Sequence, residues 1–251
     1  MRGSRYILLI SLIVSWQVFS SLDILPKQKI PSPVDVAFGV MDLMIIGLPP
    51  GYKLGHHIYA SLNRVFWGFS FAVLIGIPLG ISMGRSRRIK EMLDPVIEVL
   101  RPIPPLAWIP ISILWFGIGI KSAAFIIFLG AFFPIVLSSI AGVIAIDVVL
   151  IEASRSLGAG KRQVTSKVLI PGAMPSIFTG LRIGLGIGWM TLVAAEFTGV
   201  KTGYGLGYMI MTARDIQRPD EIVAGMFIIG IIGYLMDRVL RLVEASVLRW
   251  R

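Results

Sequence analysis

Glu152-Ala153-Ser154-Arg155-Ser156-Leu157-Gly158, then nine residues, then Val168-Leu169-Ile170-Pro171: this stretch lies between two long apolar runs and decides how the chain is organised. Upstream, residues 122–146 carry no charge until Asp147. Downstream, residues 171–197 carry only Arg182 and Glu196. A bilayer crossing takes about 20 apolar residues, so each flank is long enough to span and the stretch between them is a water-exposed loop. Within it, Glu152 to Leu157 reads as a short helix, and Gly158 can adopt the left-handed conformation that stops one. A second helical piece runs on to Pro171, which is expected to end the loop.

Working outward, four more apolar runs occur, at residues 6–22, 65–83, 102–120 and 222–236. The last is short, but Arg238 and Arg241 can snorkel and extend it. Only 15% of residues are charged and mean hydropathy is +0.82, whereas soluble domains are about a quarter charged. The fold class is therefore all-α: a polytopic membrane protein of about six transmembrane helices. Arg2 and Arg5 before the first apolar run suit a signal peptide, but no small-residue cleavage site follows, so that run is expected to remain as the first helix. The organisation expected is an N-terminal transmembrane helix (1–22), an external segment (23–60) and a core transmembrane domain (61–250) with the cytoplasmic loop at 147–171.

A net charge of +10 raises the question of nucleic acid, yet no basic stripe with interleaved aromatics is present. The basic residues flank apolar runs instead. With the N-terminus placed inside, fifteen lie on inner segments, including Arg85, Arg87, Arg88, Lys90, Arg155 and Lys161, and eight on outer ones, including Lys53, Arg64, Lys121, Arg214 and Arg218. The positive-inside rule then puts both termini in the cytoplasm. In the external segment, Ser32-Pro33 with Asp35 marks a helix start, and Val34, Ala37, Met41, Met44 and Leu48 recur at helical spacing, as in a short amphipathic helix lying on the outer membrane surface.

Gly76, Gly80 and Gly84, and again Gly180, Gly184 and Gly188, recur at every fourth position. Such stripes let helices approach closely in lipid, either within the chain or at a subunit interface. Four prolines in residues 101–110 preclude a regular helix there, and irregular backbone at membrane depth requires protein or a water-filled cavity around it. Arg182 and Glu196, the charges within the fifth run, are about 21 Å apart along a helix axis and within about 40° of one another around it. Trp189 lies midway on the same stripe. The Arg182–Trp189–Glu196 face is a candidate pathway face, with the glycines packing on the opposite side. The other reading places Arg182 and Glu196 at the two interfaces, bonded to backbone.

Several chemistries find no support. A phosphate-binding loop requires G-x-x-x-x-G-K-[ST], but Arg155 stands where its first glycine belongs and Arg162 where Ser or Thr would hold magnesium. Gly203-Tyr204-Gly205-Leu206-Gly207 lacks dinucleotide-binding spacing and reads as an outer loop. His56-His57 has no accompanying carboxylate cluster, so no metal site is expected. The chain is not expected to be an enzyme.

The loop quoted first resembles the EAA loop of ABC importer permeases: E-A-A, three residues, G, nine residues, I-x-L-P. The spacing matches throughout, with Ser154, Val168 and Ile170 as small departures. Residues 76–80, 101–110, 115–119, 130–134 and 194–196 further resemble the nitrate/sulfonate/taurine branch of these permeases. The resemblance implies a type I importer permease fold and a homodimer of this subunit. It also implies two ABC ATPase subunits, which bind the ATP so that this chain has no cofactor of its own, and an external solute-binding protein. It assigns Glu152, Ala153, Ser154, Leu157, Gly158 and Pro171 to coupling with the ATPase. The function implied is ATP-driven alternating access for a small solute, expected to be an anion such as nitrate, a sulfonate or a taurine-like compound. The rival classes are an ion-driven secondary transporter, which calls for inverted repeats and mid-membrane charges, and a structural membrane subunit, which has no need of a docking loop.

Overall fold

The computed structural model describes residues 4–22, 30–49, 51–198 and 204–248. Gly203 and the basic residues Arg2, Lys27, Lys29, Lys201, Arg249 and Arg251 lie outside them. Eleven α-helices follow one another in these residues: α1 Ser4–Ser21, α2 Pro33–Ile45, α3 Leu54–Arg85, α4 Arg87–Leu100, α5 Ile109–Phe116, α6 Ile120–Ile144, α7 Val148–Ser156, α8 Lys161–Val164, α9 Ile170–Thr198, α10 Leu206–Asp215 and α11 Pro219–Val247. Among the described residues, four helical stretches are long and apolar enough to cross a membrane: α3, α6, the continuous Lys161–Thr198 and α11. The pair α4 with Pro105–Phe116, bent by 84°, makes a fifth if it is one broken span, and α1 adds a shorter apolar helix over Ile10–Ser21.

One boundary differs from the sequence reading, and the break expected at the proline run is present in residues 102–120. The prolines end α4 at Leu100 and leave a 3-10 turn at Pro105–Trp108 before the eight-residue α5. The boundary that differs is at Pro171, which does not stop the helix it stands in. Thr165–Leu169 form a π-turn in which the Ile170 amide donates to the Thr165 carbonyl. Widening the helix just before a residue that lacks an N–H lets the chain continue through it.

The chain divides into two compact units, residues 1–61 with 201–232, and residues 62–200 with 233–251. In the second, α6 is the central helix: Ala123, Ile126, Ala131, Ile135 and Val136 are almost wholly buried. It is covered on one side by α3 and on another by α9 through glycine. A Cβ on Gly80 would lie 2.5 Å from Ser139 Cβ, and one on Gly84 2.7 Å from Val143 Cβ. From α9, a Cβ on Gly180 would meet Ser138 Cβ at 2.5 Å and one on Gly184 the Ala131 carbonyl at 2.9 Å. Helices in lipid gain little from hydrophobic association, so such close backbone contact is what holds them together.

In the first unit, α2 starts as read, with a capping box: the Ser32 hydroxyl accepts from the Asp35 amide, and the Asp35 carboxylate accepts from the Ser32 amide at 2.9 Å. Its packed side is Val36, Gly39 and Leu43, while Val34, Phe38, Met41, Met44 and Ile45 are exposed. The apolar row seen in the sequence is therefore the uncovered face, Leu48 excepted, which is buried just beyond the helix. The run around Gly205 is not simply a loop. Leu206 opens α10, whose first amides have no cap of their own. The Gly205 amide donates to His57 Nδ1 at 3.0 Å and the Leu206 amide to Ser61 Oγ at 2.9 Å, so α3 caps α10. His57 is thereby a buried structural residue.

Candidate functional site

The loop between α6 and α9 is built by three local devices. Asp147 caps α7, its carboxylate accepting from the Val149 amide at 2.9 Å. Gly158 stops the helix at φ +85°, a conformation that costs an L-residue about 1–2 kcal/mol. The Gln163 side chain then accepts from the Gly160 amide at 2.9 Å, opening α8. Between these points α7 presents an apolar surface to solvent: Val148, Val149 and Leu150 are each more than half exposed, and Leu157 is 89% exposed. Glu152 and Ala153 are exposed beside them, whereas Ser154 is half-buried and donates to the Ile151 carbonyl. Pro171 is half-buried at the head of α9. Five of the six loop residues singled out by sequence thus sit on one short helix and its stop, and Pro171 stands apart on the following helix.

The candidate pathway face divides. Arg182 Nε donates to Asp237 Oδ1 on α11 at 2.9 Å, and Asp237 accepts in turn from Arg241 at 2.7 Å. Trp189 packs on Gly233 of the same helix and is 6% exposed. Glu196 is 1% exposed and pairs with Arg64 of α3 at 2.5 Å. Trp189 and Glu196 are thus almost wholly buried, and Arg182, a third exposed, is the one member of the stripe with substantial exposure. Neither charge is held by backbone alone. Arg64, counted in the sequence as a loop residue, is wholly buried, and Asp237 lies within a helix that runs past the expected end of the last span.

A third charged group escaped the sequence reading. Arg218 bonds Asp42 and Asp220, each at 2.7 Å, and Glu221 at 3.1 Å. The Asp220 and Asp42 carboxylates hold the Arg218 proton more tightly than usual. The carboxylates of Asp42, Asp220 and Glu221 lie close enough together to hold a cation, and the guanidinium of Arg218 already supplies that charge. Residues 178 positions apart in sequence meet here only because α2 packs on the start of α11 through Gly39, so no local pattern announces them.

The sequence of residues 76–249 matches a family described as the inner membrane component of binding-protein-dependent transport systems. The chain belongs to that family. The taurine transport system permease protein of Escherichia coli K12 is 41% identical over 242 residues, spanning 95% of this chain and 86% of that one. The nitrate import permease protein of a Synechocystis strain is 38% identical over 242 residues, 94% of this chain and 86% of that one. The inward-facing MetNI methionine ABC transporter superimposes with a TM-score of 0.69 at 23% identity, covering 77% of this chain and 95% of that chain. The fold is thus that of an ABC importer permease, and this permease is a multi-pass membrane protein whose family works in transport and not in catalysis.

Proposed function

We propose that this permease is the membrane subunit of an ATP-driven importer for a small anion, working as a homodimer with two ATPase subunits and an external binding protein. The observation that carries the reading is α7: an exposed apolar helix of fixed spacing, capped at both ends and set on a loop between two tightly packed spans. Burying one leucine side chain is worth about 1.5–3 kcal/mol, so Leu157 in the open is a surface built for a partner. ATP-driven closure of the ATPase pair moves α7, and the spans follow because their backbones are in contact along α6. The taurine and nitrate relatives support an anionic solute. Of the α9 stripe, Arg182 is the residue proposed to meet the solute, and both termini are proposed to face the cytoplasm.

The test is uptake in vesicles reconstituted with the permease, its ATPase and its binding protein, using labelled taurine and nitrate as probes. Accumulation that requires hydrolysable ATP supports the proposal. Accumulation driven by an ion gradient with no nucleotide makes the protein a secondary transporter, and no uptake of either solute removes the substrate assignment.

A further inference from the structure

Where α3 turns into α4, beside the loop, the second unit holds a cavity of about 670 Å³. Arg85, Arg87 and Arg88 line it from the turn, and Arg155 and Lys161 from α7 and α8. No carboxylate lines it. Arg87 is engaged by Glu91 at 2.7 Å, and the other four have no carboxylate partner among the described residues. Two of the three hydroxyls at its wall are already committed as donors, Ser82 to the Pro78 carbonyl and Thr165 to the Lys161 carbonyl, and Ser86 accepts from the Ile89 amide. Its floor is apolar, formed by Ile81, Val143, Ile151 and Leu169.

A general bias of basic residues toward one side of the membrane places charges near that surface. It does not require two segments some seventy residues apart in sequence to bring four cations without a carboxylate partner, Arg85, Arg88, Arg155 and Lys161, to the wall of one cavity. Like charges converging on one space repel, and the arrangement is stable when an anion sits among them. Guanidinium groups match phosphate oxygens in geometry, and a lysine adds a point charge. Basic pockets between helices at the membrane surface take anionic lipid headgroups, and the apolar floor suits the start of an acyl chain.

We infer that this cavity binds a phosphate group, supplied by an anionic phospholipid or by soluble phosphate, and so ties α7 and α8 to the α3–α4 turn. Binding here does not depend on the transport reading. The test uses the complete complex in nanodiscs of phosphatidylcholine containing phosphatidylglycerol, with retained lipid counted by native mass spectrometry. Wild type retains phosphatidylglycerol. Arg88→Gln/Arg155→Gln/Lys161→Gln binds it more weakly by on the order of 100-fold, at about fivefold per charge. Arg101→Gln/Arg162→Gln/Lys167→Gln, which removes three exposed charges outside the cavity, retains it, and Arg88→Lys/Arg155→Lys stays within a few-fold of wild type.

A parallel arm adds inorganic phosphate to phosphatidylcholine-only nanodiscs and reads phosphorus NMR broadening. Broadening that the cavity variant abolishes, without lipid retention, keeps the site and names the soluble source. Equal losses in the two triple variants, or binding of neither probe by wild type, overturn the inference.

Discussion

Glu196 and Arg64 illustrate what a single charge does at membrane depth. Each is almost wholly buried, and each neutralises the other across α3 and α9. Removing one member of a buried pair leaves an uncompensated charge, at a cost of about 3–5 kcal/mol, whereas replacing both with apolar residues is often neutral. Glu196→Ala is therefore expected to lower the melting temperature of the purified permease sharply, and Arg64→Leu/Glu196→Leu to restore most of it. Uptake restored along with stability identifies the pair as a strut. Stability restored without uptake gives Glu196 a part in the pathway. The sequence marked Glu196 because a charge within an apolar run is conspicuous. It missed Arg64 because the apolar run as read began one residue later, and α3 starts a further ten residues earlier still. It missed Asp42 and Arg218 because polar residues near helix ends look ordinary until the fold brings them together.

At the scale of the element, spacing carried most of the fold. The every-fourth-residue glycines of α3 and α9 were visible as packing stripes, and both are filled within this chain by α6. Matched substitutions test this. Gly80→Ala and Gly180→Ala each place a Cβ 2.5 Å from another side-chain carbon, while Gly186→Ala meets nothing within 4 Å. Overpacking costs about 1–3 kcal/mol, and alanine in an open helical position gains up to about 1 kcal/mol over glycine. The first two variants are expected to melt lower than wild type and the third at or above it. A lowered melting point for Gly186→Ala equal to the others would point to a partner on that face. Helix ends were less legible. Pro171 was read as a stop because it lacks a backbone N–H, yet the helix passes through it after a π-turn in the residues before it. The proline run at 101–110 was correctly irregular, but its 84° bend depends on how α4 and α5 each pack.

For the whole molecule, topology is the prediction easiest to reach, because the chain contains no cysteine. Single cysteines can be introduced without background. Cysteine at Lys53 is expected to react with a membrane-impermeant maleimide from outside intact cells, and cysteine at Arg162 only after the membrane is opened. The reverse pattern inverts the orientation proposed from the basic residues.

The central claim is that α7 is where another subunit takes hold of this one. Leu157→Asp changes a side chain that touches solvent over most of its surface, so the isolated permease is expected to melt as wild type does. Co-purification of the ATPase with the full complex is the most direct reading of the claim. The account predicts that wild type retains its ATPase through purification while Leu157→Asp loses it by at least about tenfold, a loss equivalent to about 1.4 kcal/mol of binding. A Leu157→Asp permease that keeps its ATPase and its ATP-driven uptake would contradict it.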